Sequence, residues 1–191
     1  MGSFTTRALS QEEYEKLITT IRIGYVYKNV KHRPNDQVAT ILILEANLGC
    51  RIGDIISLTC ESFVCDNDIW KLNIIEEKTG KRRNFIVPLS VKSFIDHYCE
   101  CRGITEGRLF DIEAPAVWKQ LRAATGYLGM TNISTHSMRK KIACDLYEKT
   151  GHDIEAVASF LQHSSINTTR RYIRRSDEQL EQAISQAVCL L

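Results

Sequence analysis

The sequence predicts a mainly α-helical domain with one small antiparallel β-sheet, which is an α+β fold. Apolar residues recur at helical spacing in the first 60 residues and again after residue 90, whereas the segment between them has short strand-like runs separated by tight turns. With 191 residues, 43% of them hydrophobic, the chain is long enough to bury a core. No stretch approaches the roughly 20 consecutive apolar residues of a membrane span. Disordered, collagen-like and transmembrane classes are therefore excluded.

The first part of the chain has the pattern of three helices. Ser10 and Glu13 have the spacing of a capping box, and apolar residues follow at i, i+3, i+4 and i+7 from Tyr14. After a polar loop, a run that is apolar on nearly all sides predicts a buried helix, which Gly49 ends. Arg51 begins a third, short helix. The three predicted helices cover residues 10–21, 38–48 and 51–58.

The middle of the chain changes period, and the helical period then returns. Short apolar runs flank two tight turns and predict a three-stranded antiparallel sheet from residues 63–64, 69–75 and 84–88. The helices predicted after the sheet cover residues 91–101, 115–127, 134–150, 153–162 and 176–188.

The net charge of +2 is distributed unevenly along the chain. Residues 134–175 contain eight Lys or Arg and four Asp or Glu, whereas residues 176–191 contain three acids and no Lys or Arg. A charge run is most often a solvated face. The same distribution also fits a phosphate-binding surface followed by an acidic tail that binds elsewhere.

The cysteines indicate a reducing compartment. There are seven, an odd number, and none has the C-x-x-C spacing of a structural zinc site. Most of these thiols are expected to be small apolar core residues, and Cys99 with Cys101 is a weak metal candidate. The N-terminus also lacks the pattern of a signal peptide. We therefore expect a cytoplasmic protein.

Four short motifs contain residues that suit phosphate chemistry. Each motif alone has an ordinary structural explanation: a helix-surface ion pair, a solvated hairpin tip, a helix cap or a core aromatic ring. The motif residues are Arg51 with Asp54, Lys78 in the turn between the second and third predicted strands, His136 with Arg139 at a helix start, and His163 with Tyr172.

Taken together and in this order, the four motifs resemble the tyrosine site-specific recombinases of the phage integrase family, over about residues 9–175. The resemblance implies the catalytic-domain fold of these DNA breaking-rejoining enzymes. It implies a catalytic set of Arg51, Lys78, His136, Arg139, His163 and Tyr172, supported by Asp54. Basic residues near this set that we expect to contact DNA are Lys81, Arg82, Lys140, Arg170 and Arg171. Two positions differ from the common family pattern: Lys140 replaces a His, and Gln162 replaces a Gly.

The resemblance also implies a mechanism, with a 3'-phosphotyrosyl intermediate and neither metal nor ATP as cofactor. Arginines suit the nonbridging phosphate oxygens because they donate in-plane hydrogen bonds and stay charged. A protonated tyrosine needs a base, and the leaving 5'-oxygen needs an acid. The expected roles are phosphate binding by Arg51, Arg139 and His163, nucleophile for Tyr172, base for His136, and acid for Lys78 or the alternative Lys81.

The expected organisation is a leader at residues 1–8, whose first three residues are typical of a cloning remnant, a catalytic domain at 9–175 and a C-terminal helix at 176–191. That helix docks in cis on its own core or in trans on a neighbour. Family members usually carry a further N-terminal domain, so a catalytic fragment and a naturally short member both fit. The partner is expected to be a double-stranded DNA recombination site, with a tetramer on DNA and a monomer in solution.

Two other functions remain open at this point. One is a DNA-binding module with the same fold that does not exchange strands. The other is a type IB topoisomerase, which shares the tyrosine chemistry. The recombinase interpretation implies integration or excision of a mobile element by a bacterial or phage-associated protein.

Overall fold

A computed structural model of the chain describes residues 6–173. The predicted class is confirmed: helices dominate and the strands form small antiparallel sheets. The elements are α1 (Gln11–Ile23), β1 (Tyr25–Tyr27), β2 (Val30–His32), α2 (Asp36–Leu48), α3 (Ile52–Ile56), β3 (Phe63–Asp66), β4 (Ile69–Ile75), β5 (Arg82–Ile86), α4 (Leu89–Arg102), α5 (Ala114–Tyr127), α6 (Thr135–Lys149), α7 (Ile154–Phe160) and α8 (Ile166–Ile173), with a 3-10 turn at Cys60–Ser62. The helix predicted at 176–188 lies outside the described residues.

Helix α2 forms the centre of the core. Nine of its residues are buried, and it packs against α1, α3, α4 and α6. The predicted capping box begins α1: the Glu13 N–H donates to Ser10 Oγ at 3.1 Å, and the Ser10 N–H donates to Glu13 Oε2 at 3.0 Å. Gly49 ends α2 at φ 58°, and a Cβ there would lie 2.6 Å from the Phe160 ring. Only glycine combines this backbone conformation with this close approach.

The predicted three-stranded sheet is present, and β4 is its central strand. The antiparallel register pairs Asn73 with Asn84, so the turn between β4 and β5 holds Lys78 as expected. A second, two-stranded sheet of β1 and β2 was not predicted. Its turn residues Lys28 and Asn29 both have positive φ, which is the backbone of a tight type I′ hairpin. Three residues per strand are too few to show a period-2 pattern.

Helix α8 was also missed by the sequence analysis. It packs against α6 and α7 around a small second core of Ala143, Val157 and Leu161, and Tyr172 of α8 lies against that core. Two consecutive threonines lower its local helix propensity. The helix is amphipathic but short, and its packing against α6 and α7 supports it.

Candidate functional site

The C-terminal ends of α2 and α7 meet at the candidate site. Each helix is followed by a residue in the left-handed region, Gly49 at φ 58° and Gln162 at φ 52°. Arg51 comes two residues after the first, and His163 comes directly after the second. The turns at these two helix ends thus bring candidate residues from distant parts of the sequence into the same site.

Arg139 joins the two helix ends. It lies on α6, is 1% exposed, and donates from Nη1 to the Gly49 carbonyl and from Nη2 to the Leu161 carbonyl, the latter at 2.5 Å. Cations stabilise the negative ends of helices. Burial, and then the charge of Arg83, lower the pKa of Arg139, but a guanidinium stays charged at neutral pH. These contacts use two of its N–H groups.

Arg83 forms the same kind of bridge one carbonyl earlier in each helix. Its Nη2 donates to the carbonyl oxygens of Leu48 at 2.9 Å and Phe160 at 2.8 Å. The sequence analysis did not name Arg83 as a site residue, although it lies next to the predicted hairpin turn and is only 1% exposed. Its inward direction follows from the alternation along β5, in which Arg82 and Asn84 are exposed.

Arg51 is the N-cap residue of α3, and its guanidinium is partly exposed, with 22% of the side-chain surface open. Its Nη1 donates to Glu76 Oε2 at 2.6 Å. The surface ion pair considered between Arg51 and Asp54 is not formed. Asp54 is buried, and it accepts the backbone N–H groups of Arg51 at 3.2 Å and Glu77 at 3.0 Å. Asp54 therefore ties the start of α3 to the turn that contains Lys78.

Tyr172 lies beside His163 and Lys140. The rings of Tyr172 and His163 meet edge to face with centroids 4.9 Å apart, and Lys140 Nζ lies 5.5 Å from the Tyr172 centroid. His163 Nδ1 and the buried Thr169 hydroxyl share a 2.9 Å hydrogen bond. Desolvation, and then the charge of Arg139, lower the pKa of His163 to about 4, so its ring is neutral at pH 7. When Thr169 is the donor, the ring proton is on Nε2.

His136 lies in the first turn of α6, within reach of the other cations. Its pKa is below the ordinary value, first because its ring is partly desolvated. The positive charges of Arg139, Arg51 and Lys78 lower it further. The ring is therefore neutral at pH 7 and able to accept a proton. An open cleft of about 1070 Å³, lined by cationic side chains of α5 as well as by apolar groups, adjoins His136.

The basic residues predicted to contact DNA divide into two groups. Lys140 is only 8% exposed and donates to the Thr6 carbonyl, so it lies next to Tyr172 rather than on the open surface. Its position differs from that of a surface phosphate contact. The exposed members of the group are Lys81, Arg82, Arg170 and Arg171.

Glu45 on α2 is a further residue that the sequence analysis missed. It is fully buried, and neither carboxylate oxygen has a hydrogen-bond partner among residues 6–173. Burial raises the pKa of Glu45 well above its ordinary value, although the charge of Arg139 acts in the opposite direction. A neutral Glu45 leaves the positive charge of Arg139 uncompensated. The sequence of α2 contains one signal that could have identified Glu45, namely an acidic residue within a run of apolar residues.

Other site types have no support in the described part of the chain. Among residues 6–173, no three His, Cys, Asp or Glu side chains come together as metal ligands. Cys101, half of the weak metal candidate with Cys99, is exposed and lies near His97 instead. Over the same residues, no helix has both the length and the apolar character needed to cross a membrane.

Two known proteins are similar to this chain in sequence. The chain is 24% identical over 192 residues to tyrosine recombinase XerA of Pyrococcus furiosus, covering 95% of this chain and 62% of the relative. It is 30% identical over 140 residues to the probable integrase/recombinase YoeC of Bacillus subtilis, covering 70% of this chain and 75% of that protein. The chain therefore spans less than two thirds of the length of XerA.

Solved structures show the same fold. The catalytic domain of bacteriophage HP1 integrase matches with a TM-score of 0.65 and 18% identity, covering 95% of both chains. The XerH site-specific recombinase in a post-cleavage complex with palindromic difH substrate matches with a TM-score of 0.70 and 22% identity, covering 96% of this chain and 53% of XerH. The model of the phage integrase family matches residues 7–179, and the chain belongs to this family.

Proposed function

We propose that this chain catalyses site-specific DNA recombination, the integration or excision of a mobile element, through a 3'-phosphotyrosyl intermediate. The observation that carries the proposal is that Arg139 joins the two chain segments that lead to Arg51 and to His163, through the Gly49 and Leu161 carbonyls. The His163 ring contacts the Tyr172 ring, and His136 lies one turn before Arg139 on α6. Such a site suits a phosphodiester, whose charge increases as a nucleophile attacks. Arg51 and Arg139 bind the nonbridging oxygens, and His163 donates a third hydrogen bond from Nε2.

The cleavage step balances with the groups present. The Tyr172 oxygen attacks phosphorus and its proton passes to His136, while the bond from phosphorus to the 5'-oxygen breaks and that oxygen takes a proton from Lys78. In the rejoining step the 5'-hydroxyl of another strand attacks the phosphotyrosine and releases the tyrosine. Both steps keep the number of phosphodiester bonds constant, so no ATP is consumed.

The charge pattern favours Lys78 over Lys81 as the acid. Lys78 is one of the cations whose charges lower the pKa of His136, which places it within electrostatic reach of the proposed base. A substrate with sulfur in place of the 5'-bridging oxygen tests this choice, because a thiolate leaves without a proton donor. We expect this substrate to restore cleavage by Lys78→Ala. If it restores Lys81→Ala and not Lys78→Ala, the assignment is reversed.

The proposed partner is a double-stranded recombination site on which four chains assemble. Some matched structures are described as DNA complexes, among them XerH on difH and a lambda integrase dimer on a COC' core site. In the proposed arrangement residues 9–175 are the catalytic domain, preceded by the leader at 1–8. The helix at 176–191, outside the described residues, docks in cis or in trans. The exposed basic residues Arg82, Arg170 and Arg171 extend the cationic surface toward the DNA backbone.

A covalent trap tests the function with DNA whose recombination sequence is not fixed in advance. The probe is a pool of nicked duplexes with random sequence around the nick, in which cleavage near the nick releases a short strand and prevents rejoining. After denaturation we expect a protein-linked strand whose sequence converges over repeated selection, and no linked strand with Tyr172→Phe. Sequence-selective binding without a linked strand would indicate a DNA-binding module. Linkage without sequence convergence, with relaxation of supercoiled plasmid, would indicate a topoisomerase.

A further inference from the structure

Glu76 contacts Arg51 of the proposed phosphate site and accepts three side-chain hydrogen bonds. Its Oε2 accepts from Arg51 Nη1 at 2.6 Å and from Thr79 Oγ1 at 2.8 Å, and its Oε1 lies 3.2 Å from Arg83 Nη1. The side chain has no exposed surface. One buried carboxylate thus joins a partly exposed guanidinium to a fully buried one.

The same residue forms the base of the turn that carries Lys78. The Glu76 N–H donates to the Lys81 carbonyl at 2.9 Å, and the Glu76 carbonyl accepts from the Gly80 N–H at 2.9 Å. The turn and Arg51 are therefore fixed to the same point. A displacement of Glu76 would move the guanidinium and the lysine together.

Glu76 is itself held rigidly by Arg83. The Arg83 guanidinium stacks on Phe85 at 4.8 Å and on Phe160 at 5.5 Å from the ring centroids, in addition to its two helix-end carbonyls. Burial alone would raise the pKa of Glu76. The hydrogen bonds from Thr79 and Arg51, with the charges of Arg51 and Arg83, instead bring that pKa below its ordinary value. Glu76 is therefore ionised at neutral pH.

We propose that Glu76 is a positioning residue for strand cleavage: Glu76 holds the Arg51 guanidinium in the orientation that binds a nonbridging oxygen of the scissile phosphate. Arg83 in turn anchors Glu76. The inference rests on the proposed recombinase function. Glu76 takes Nη1 of Arg51, and the planar guanidinium then presents its remaining N–H groups in fixed directions. Misplacement of a positioned group by about 1 Å is enough to cost on the order of 100-fold in rate.

Glu76→Gln separates positioning from simple electrostatics because the two predict opposite effects. The substitution keeps the size of the side chain and removes one negative charge, so the net charge of the site becomes more positive by one unit. If only net charge mattered, cleavage would become faster. Positioning predicts that the selected duplex binds with equal or higher affinity while single-turnover cleavage slows on the order of 10-fold to 100-fold. Glu76→Asp, which keeps the charge but shortens the reach, should also slow cleavage.

Glu13→Gln is the control variant, because Glu13 on α1 also pairs with an arginine, Arg7, in a more exposed ion pair outside the catalytic set. This control should cleave at the wild-type rate. Equal slowing by Glu13→Gln and Glu76→Gln would mean that lost stability explains the defect, and it would overturn the inference. Thermal unfolding of both variants shows whether each is folded at the assay temperature.

A substrate with a methylphosphonate at the scissile position gives a second readout. A methyl group in place of one nonbridging oxygen removes the negative charge, so an oriented guanidinium matters less. We expect the rate ratio of wild type to Glu76→Gln to shrink on this substrate, as it should for Arg51→Ala. An unchanged ratio for Glu76→Gln, with a reduced one for Arg51→Ala, would overturn the inference. Failure of the wild-type chain to form any adduct would instead contradict the proposed function itself.

Discussion

Arg83 and Arg139 are two buried arginines in nearly equivalent positions with different charge environments. Each bridges the C-terminal ends of α2 and α7, through neighbouring backbone carbonyls. Arg83 also pairs with the ionised Glu76 at 3.2 Å. Arg139 has no such partner among the described residues: Glu45 makes no hydrogen bond there, and burial raises its pKa, which favours its neutral form.

The difference shows how one fold uses the same bond pattern for two purposes. A buried charge paired with a carboxylate supports the structure, whereas a buried charge without one is available to an incoming anion. Arg139 lies within electrostatic reach of Tyr172. We therefore assign stability chiefly to Arg83 and phosphate binding chiefly to Arg139.

The comparison predicts the largest effect for Arg139→Lys. Lysine keeps the charge but cannot bridge both carbonyls and also donate to a phosphate oxygen. We expect single-turnover cleavage to fall by about 10² to 10³, the cost of losing one preorganised donor. Arg83→Lys is the matched change and should slow cleavage less. Equal losses in the two variants would remove the distinction between the two arginines.

Arg83→Met tests the structural half of the comparison. The substitution removes the ion pair with Glu76 and the hydrogen bonds that Arg83 donates to the Leu48 and Phe160 carbonyls. Removing one partner of a buried ion pair costs about 3 kcal/mol or more, so the free energy of unfolding should fall by that amount in urea denaturation. The double variant Glu76→Leu with Arg83→Met should lose less than the two single variants combined. A fully additive loss would mean that the pair is not coupled.

Glu45→Gln tests the charge environment of Arg139 through the pH dependence of the free energy of unfolding. The pKa of Glu45 is raised in the folded state, so its contribution to stability is complete below the unfolded value near 4.5 and is lost as pH rises toward the folded value. The variant should therefore gain stability relative to wild type by up to about 1.4 kcal/mol per pH unit over that window. Urea denaturation at pH 5 and pH 8 measures the difference. A variant less stable than wild type at pH 8 would indicate an ionised Glu45 paired with Arg139.

Gln162→Gly has the smallest expected effect. Gln162 ends α7 at φ 52°, a conformation that costs a non-glycine residue about 1 to 2 kcal/mol, while glycine has an entropic cost of about 0.5 to 1 kcal/mol. The free energy of unfolding should therefore rise by about 0.5 to 1 kcal/mol, as judged by thermal unfolding. A loss of stability would show that the Gln162 hydrogen bond to the Arg82 carbonyl, at 3.0 Å, outweighs the backbone strain.

The sequence predicted the parts of the fold that depend on local pattern. The capping box of α1, the apolar run of α2 and the turn carrying Lys78 each have a short-range signal, and each is present. Helix α8 was missed because its amphipathic pattern is only eight residues long and two consecutive threonines lower its helix propensity. The hairpin of β1 and β2 was missed because its strands are too short to show a pattern.

The sequence motifs predicted the candidate catalytic residues, but they did not predict the hydrogen bonds and ion pairs that connect those residues. Arg51 and Arg139 were named from their motifs, whereas Glu76 and Arg83 were not. Their roles depend on contacts between residues far apart in sequence, such as the hydrogen bond from Arg83 to the Phe160 carbonyl. Lys140 shows the opposite case, since its motif position suggested an exposed cation but the Thr6 carbonyl and the Tyr172 ring enclose it.

The most direct test of the account is to identify the protein atom that carries the DNA. The adduct from the covalent trap would be digested with nuclease and protease, and the modified peptide located by mass spectrometry. The account predicts a nucleotide 3'-phosphate on the Tyr172 hydroxyl, in a peptide that is unmodified when Arg139 is replaced by Ala. A nucleotide attached to any other residue, or through its 5'-phosphate, would contradict the account.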